Sequence, residues 1–244
     1  NWKNTTAAPE KASFTSPAAY DNEPVTSFCK PPAVDLEYAI GSRFKNTLTK
    51  EKAHSATLVV DILPDHSMRS AESFRDIQVS VLYEDAEPFA LGDDEALNAS
   101  QIMLLQSTEY ASNILVKGDF KKKHADTDEL YSSYFAYYMT IVPEHEAEYA
   151  GGQEALIAYL KEGSKEATAI IQKDKPKSGT VAFTVTKRGA IEHVTLNSTP
   201  GYELVDKVLV ELVENMPKNW TPATNAKGEN VDQEFVFFFG EQGC

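Results

Sequence analysis

Several absences narrow this chain before any element is assigned. Only two cysteines occur, Cys29 and Cys244, near opposite ends. That number excludes a disulfide-dense scaffold and a cysteine-ligated zinc site, and the spacing does not decide whether the two thiols pair. No stretch approaches the ~18 consecutive apolar residues of a membrane-spanning helix. Bases are scarce: Lys+Arg number 23 against 37 Asp+Glu, a formal net charge of -14. A general nucleic-acid binder needs a basic face that releases counterions, so that class is excluded. The five histidines, His54, His66, His124, His145 and His193, form no metal-ligand pair at helical spacing. Glu144-His145-Glu146 lacks the second histidine of a zinc-protease helix. Neither a nucleophile elbow nor a phosphate-binding loop is present, and Gly92-Asp93-Asp94 and Gly118-Asp119 read as turns. Asp126, Asp128 and Glu129 read as a solvated hairpin tip in preference to a calcium loop. Spacing nominates no carboxylate pair of the kind used in glycoside hydrolysis. The expectation is a protein that is not an enzyme and uses no metal or cofactor. Residue 1 is Asn, so any signal peptide or lipid anchor would lie upstream of it.

Hydrophobic residues make up 42% and charged residues 25% of the 244 residues, ordinary values for a globular chain. The acidic excess reads as a solvated surface, because no long block of like charge occurs. Residues 1–32 are rich in Ala, Thr, Ser and Pro and poor in large apolar groups, which predicts a flexible leader. Residues 33–142 are expected to form a mainly β, sandwich-like domain. Leu36, Tyr38, Ile40 and Phe44 alternate as in a strand. Thr49 can cap a short helix running towards Asp61, with a strand over 57–63 as the competing assignment. Clearer strands are predicted over 77–83, 114–120 and 134–142, the last two forming a long hairpin, with a short helix over 100–105. Tyr131, Tyr134, Tyr137 and Tyr138 either fill a core and rim or present a stacking surface for a sugar or peptide.

Residues 143–244 carry the clearest pattern. An Ala/Leu-rich helix follows Gly151-Gly152, with apolar positions 156, 157 and 160 on one face. Strands are predicted over 179–186 and 190–196. They are joined by Lys187-Arg188-Gly189, with Gly189 suited to the left-handed position. A helix from about Gly201 to Asn215 presents Val205, Val208, Leu209, Leu212 and Met216 on one stripe, and Pro217 stops it. The last strand spans 231–239, with Asp232 and Glu234 on one face and Phe235, Phe237 and Phe239 on the other.

This order of elements carries a resemblance. Tyr149-Ala150-Gly151-Gly152 before the first helix, the Gly179-to-Ile191 hairpin, Met216-Pro217-Lys218-Asn219-Trp220-Thr221-Pro222-Ala223, Lys227-Gly228 and the Phe-rich last strand occur in sequence. Together they resemble the TonB C-terminal domain, in the variety common in envelope proteins of Gram-negative bacteria. Ala150 departs from the usual Pro, and the membrane helix and Pro/Lys-rich spacer of energy-transducing members are absent. The resemblance implies an α+β fold of two helices on a three-stranded antiparallel sheet. It also implies a periplasmic or envelope location and contact with an extended segment of another envelope protein by strand addition at the last strand. Val231, Gln233, Glu234, Phe235, Phe237 and Trp220 are the partner-binding residues expected on that basis. Energy transduction would require a membrane anchor before Asn1. The alternative is a glycan- or peptidoglycan-binding, or hydrolytic, envelope protein that uses the aromatic-rich N-terminal domain.

Overall fold

The computed structural model describes residues 36–64, 66–171 and 177–240. The expected leader, residues 1–32, and both cysteines lie outside the described residues. The N-terminal elements are β1 (Glu37–Gly41), β2 (Asn46–Thr49), α1 (Lys50–Ser55), α2 (Val59–Ile62), β3 (Ser73–Leu82), β4 (Phe89–Gly92), α3 (Ala99–Gln106), β5 (Asn113–Lys123) and β6 (Leu130–Val142). Then come β7 (Glu148–Tyr149), α4 (Gly152–Thr168), β8 (Gly179–Val185), β9 (Ile191–Ser198), α5 (Glu203–Glu214), β10 (Trp220–Thr221), β11 (Ala223–Thr224), β12 (Asn230–Val231) and β13 (Gln233–Gly240). The architecture is α+β, with several sheets and helices.

A five-stranded sheet in the order β2-β6-β5-β3-β4 organises the N-terminal part. Its pairs are antiparallel except β2 with β6, which run parallel. Alternation drives one face inward: Ile77, Val79, Val116 and Met139 meet Ala53, Val59, Ile62 and Leu105 of the three helices. This differs from the expected sandwich, because the second layer is helical. The rival strand over 57–63 is absent too. Val59 and Ile62 are fully buried one helical turn apart, and the Asp61 carboxylate accepts from the Thr57 and Leu58 N–H groups at 3.2 and 2.9 Å. A side chain that caps its own turn competes with strand pairing. The Thr49 cap is present, its hydroxyl accepting from Lys52 N.

The second sheet runs β1-β13-β8-β9, all antiparallel. It has four strands where three were expected, and the additional one comes from the other end of the chain. Helices α4 and α5 cover one face, where Leu156, Leu160, Val205, Leu209 and Val213 pack on Val181, Phe183, Phe235 and Phe237. The hydrophobic stripe of α5 therefore lies where its 3.6-residue period put it. Gly189 closes the β8–β9 loop at φ +76°. Both cores belong to one compact unit, and residues 37–41, expected in the first domain, complete the sheet of the second part. Among the described residues no helix is long and apolar enough to cross a membrane.

Candidate functional site

Strand β13 was expected to offer an open edge, and most of that edge is occupied. β1 pairs with it from Glu37↔Gly240 to Gly41↔Val236, while β8 holds the opposite side. The last strand is therefore central over residues 236–239. The residues expected to contact a partner have the following places. Phe235 and Phe237 are buried in the core against Phe183 and the α5 stripe, because odd positions of β13 face the helices. Gln233 is buried as well: its Oε1 accepts from Ala147 N at 2.7 Å and its Nε2 donates to Glu146 Oε2 at 2.6 Å. Val231 lies outside β13, paired with Ala223 in a small hairpin. Asp232 accepts from Lys187 N at 2.6 Å and fastens the β8–β9 loop. Glu234 is exposed on the other face, and partial desolvation raises its carboxyl pKa while nearby Arg43 opposes the shift.

Trp220 is partly buried. It pairs through its backbone with Tyr149 and packs against the rings of Tyr149, Phe183 and Phe235. It is thus a plug between β13 and the segment before α4, and its buried indole N–H has no hydrogen-bond partner among the described residues.

β1 is firmly seated. Leu36 and Ile40 enter the core. Tyr38 lies edge-on to Phe239 with ring centroids 5.3 Å apart, and its hydroxyl is 2.8 Å from Ser164 Oγ on α4. Burial pushes the Tyr38 phenol pKa upward, and hydrogen bonding to Ser164 and Thr168 partly offsets the rise. Gln153 Nε2 donates to the Ile40 carbonyl at 2.7 Å. At Gly41 the chain leaves the sheet, and Ser42–Lys45 carry it to β2 in the other sheet.

Because β1 stops opposite Val236, Gln233–Phe235 have no strand partner on that side among the described residues. A cleft of about 970 Å³ lies beside this gap. Arg43 and Phe44 line it from the crossing segment, Glu146 and Glu148 from the loop before α4, and Trp220 and Phe235 from the aromatic cluster. Two of the expected partner residues, Trp220 and Phe235, thus meet at one cleft. Arg43, Phe44, Glu148 and Gln153 were not foreseen, since only the crossing of the chain between sheets brings them there.

The other sequence candidates have separate places. Glu144 Oε1 accepts from Glu51 N at 2.9 Å, and His145 exchanges backbone hydrogen bonds with Thr224. Asp126, Asp128 and Glu129 are exposed at the β5–β6 turn. Tyr131 and Tyr137 are half-buried on the helix side of the first sheet, whereas Tyr134 and Tyr138 are exposed on its other face. Among the described residues no three His, Cys, Asp or Glu side chains gather to hold a metal ion. Comparison of the chain with protein-family models, curated proteins and solved structures found no match.

Proposed function

We propose that the chain is a non-enzymatic envelope protein of a Gram-negative bacterium whose C-terminal part works as a TonB-like contact module. It would receive an extended segment of another envelope protein by strand addition. The observation that carries this reading is the edge of β13. It holds an extended five-residue segment in antiparallel register, here the chain's own β1, and then runs on unpaired beside the cleft. The helix–strand–strand–helix–strand order of α4, β8, β9, α5 and β13 adds support.

The docking route follows from the anchoring of β1. Displacing it would expose Leu36 and Ile40 and break the Gln153 and Tyr38 contacts. A guest instead enters end-on to β1, against Gln233–Phe235 and between Arg43 and Trp220. Each net backbone hydrogen bond contributes roughly 0.5–1.5 kcal/mol, so a three-residue edge supports weak, reversible contact that the cleft walls must reinforce. Energy transduction would additionally require an anchor upstream of Asn1.

Photo-crosslinking in cells tests this. A photoreactive residue at Phe44 should capture one envelope protein, and one at Glu192 on the far edge should not. Arg43→Glu should abolish the Phe44 product while leaving the melting temperature unchanged. Equal capture from both positions, or none from Phe44, overturns the proposal.

A further inference from the structure

On the first sheet, the face away from its helices carries chemistry that the protein-contact role does not use. Strand register places side chains on it in rows: Phe89, Ser80, Leu115 and Tyr138; then Leu91, Gln78, Lys117 and Ala136; then Arg75, Asp119 and Tyr134; then Ser73, Lys121 and Ser132. Tyr134 is 77% exposed and Tyr138 47% exposed. With Lys123 below them, the rows hold four cationic side chains and one carboxylate, in a chain of net charge -14. Among the described residues, Arg75, Lys117 and Lys121 form no ion pair, whereas Lys123 meets Glu72 at 3.5 Å.

A β-bulge builds this arrangement. Asp76 and Ile77 share the space opposite Gly118, with Asp76 at φ +51°, so the alternation of β3 resets. Without that extra residue, Phe74 would turn outward and Arg75 inward. With it, Phe74 joins the core and Arg75 stands in register with Asp119 and Tyr134. Gly118 permits the bulge, because a Cβ there would sit 2.4 Å from Ile77 Cδ1. Bulges of this kind re-aim side chains next to binding sites. Here Arg75, Lys121, Asp119, Ser132 and Tyr134 line a shallow cleft of about 340 Å³.

We infer that this cleft is a binding site for an acidic glycan, a chain of sugars bearing carboxylates. The exposed Tyr134 ring offers a flat apolar platform for the C–H face of a pyranose. Arg75 can take a sugar carboxylate in a two-pronged hydrogen bond, with Lys117 and Lys121 beside it along the strand. Asp119, Ser73, Ser132 and Gln78 supply acceptors and donors for hydroxyl groups. Polyphosphate ligands fit less well, since Asp119 sits among the cations and the whole chain repels a polyanion of high charge density. A second copy of the chain fits less well for the same electrostatic reason. The inference does not rest on the protein-contact reading, whose cleft lies beside β13 and meets this face where Phe44 packs on Tyr138, ring centroids 5.3 Å apart.

The test is calorimetric titration of the full chain with a galacturonate hexamer. Controls are the same hexamer as its methyl ester, oligothymidylate and polyglutamate. Expected are saturable binding of the acid form that weakens with salt, and binding of the ester about tenfold weaker or worse. Tyr134→Ala and Arg75→Gln should each weaken binding by about tenfold, with unchanged melting curves. Lys117→Glu provides a second charge variant on the exposed face, should Arg75→Gln disturb the bulge. No binding of the acid form at millimolar concentration overturns the inference. So does equal affinity for the ester, indifference to Tyr134→Ala and Lys117→Glu, or binding of oligothymidylate or polyglutamate as tight as that of the hexamer.

Discussion

Gly189 sits at φ +76°, and a methyl group built there would stand 2.6 Å from the Trp220 carbonyl oxygen. Both the backbone conformation and the close approach exclude a larger residue. Gly189→Ala should therefore lower stability by ~1–3 kcal/mol, visible as an earlier thermal transition followed by Trp fluorescence. A wild-type-like transition would refute this account of the turn. Tyr38 gives a pH-dependent counterpart. Its phenol pKa is raised in the folded chain, so the unfolded chain ionises first as pH climbs past about 10. The contribution from Tyr38 is complete below that pH and is lost as pH rises through the folded value. Urea midpoints measured from pH 8 to 11 should fall more steeply for the wild type than for Tyr38→Phe, and parallel curves would contradict the assignment. Glu234 follows the same sign in the acid range: its stabilising effect is present below about pH 4.5 and fades as pH rises further. At this scale the sequence was informative wherever one residue type was required locally. Gly189 between two strands and the inward phenylalanines of β13 could both be read. Arg43 could not, because its role depends on where two sheets meet.

At the scale of elements, β1 joins the halves of the fold. Ile40 is buried in the core on the side of the sheet that α4 covers, so Ile40→Ala should cost ~2–5 kcal/mol. Hydrogen exchange should then quicken in β13 and α4 and stay slow in β3, β5 and β6, whose core is separate. Uniform loss of protection would show that the two cores open as one. The alternation of Leu36, Tyr38 and Ile40 identified the strand and its buried face. Period two says nothing about which strand lies alongside, so the distant pairing with β13 was hidden, and with it the closure of the expected partner edge. Four-residue strands such as β2 and β4 carry too few residues for a periodic signal, and both were missed. The helix–strand–strand–helix–strand order of the C-terminal part was readable because each of its elements is long, periodic and bounded by Gly or Pro.

For the molecule as a whole, charge is the dominant global property. A net charge of -14 is matched by few ion pairs among the described residues, and their side chains are largely exposed. Such pairs each contribute about 0–1 kcal/mol, so screening them loses little while relieving the mutual repulsion of the carboxylates. The melting temperature should rise by a few degrees between 10 and 150 mM NaCl, by order of magnitude, and a fall would mean that attractive pairs prevail. The pairing of Glu37 with Gly240 has a biosynthetic consequence. On a ribosome the earliest strand of this sheet emerges long before the ribbon it must zip against, and waits with Leu36 and Ile40 uncovered. Completion of that layer therefore waits until residues 233–240 have emerged, and it is slow for its large sequence separation. The adjacency of Glu37 and Gly240 means that a short linker can join them, so residues 36–240 are a candidate for circular permutation with new ends cut at the 125–127 turn.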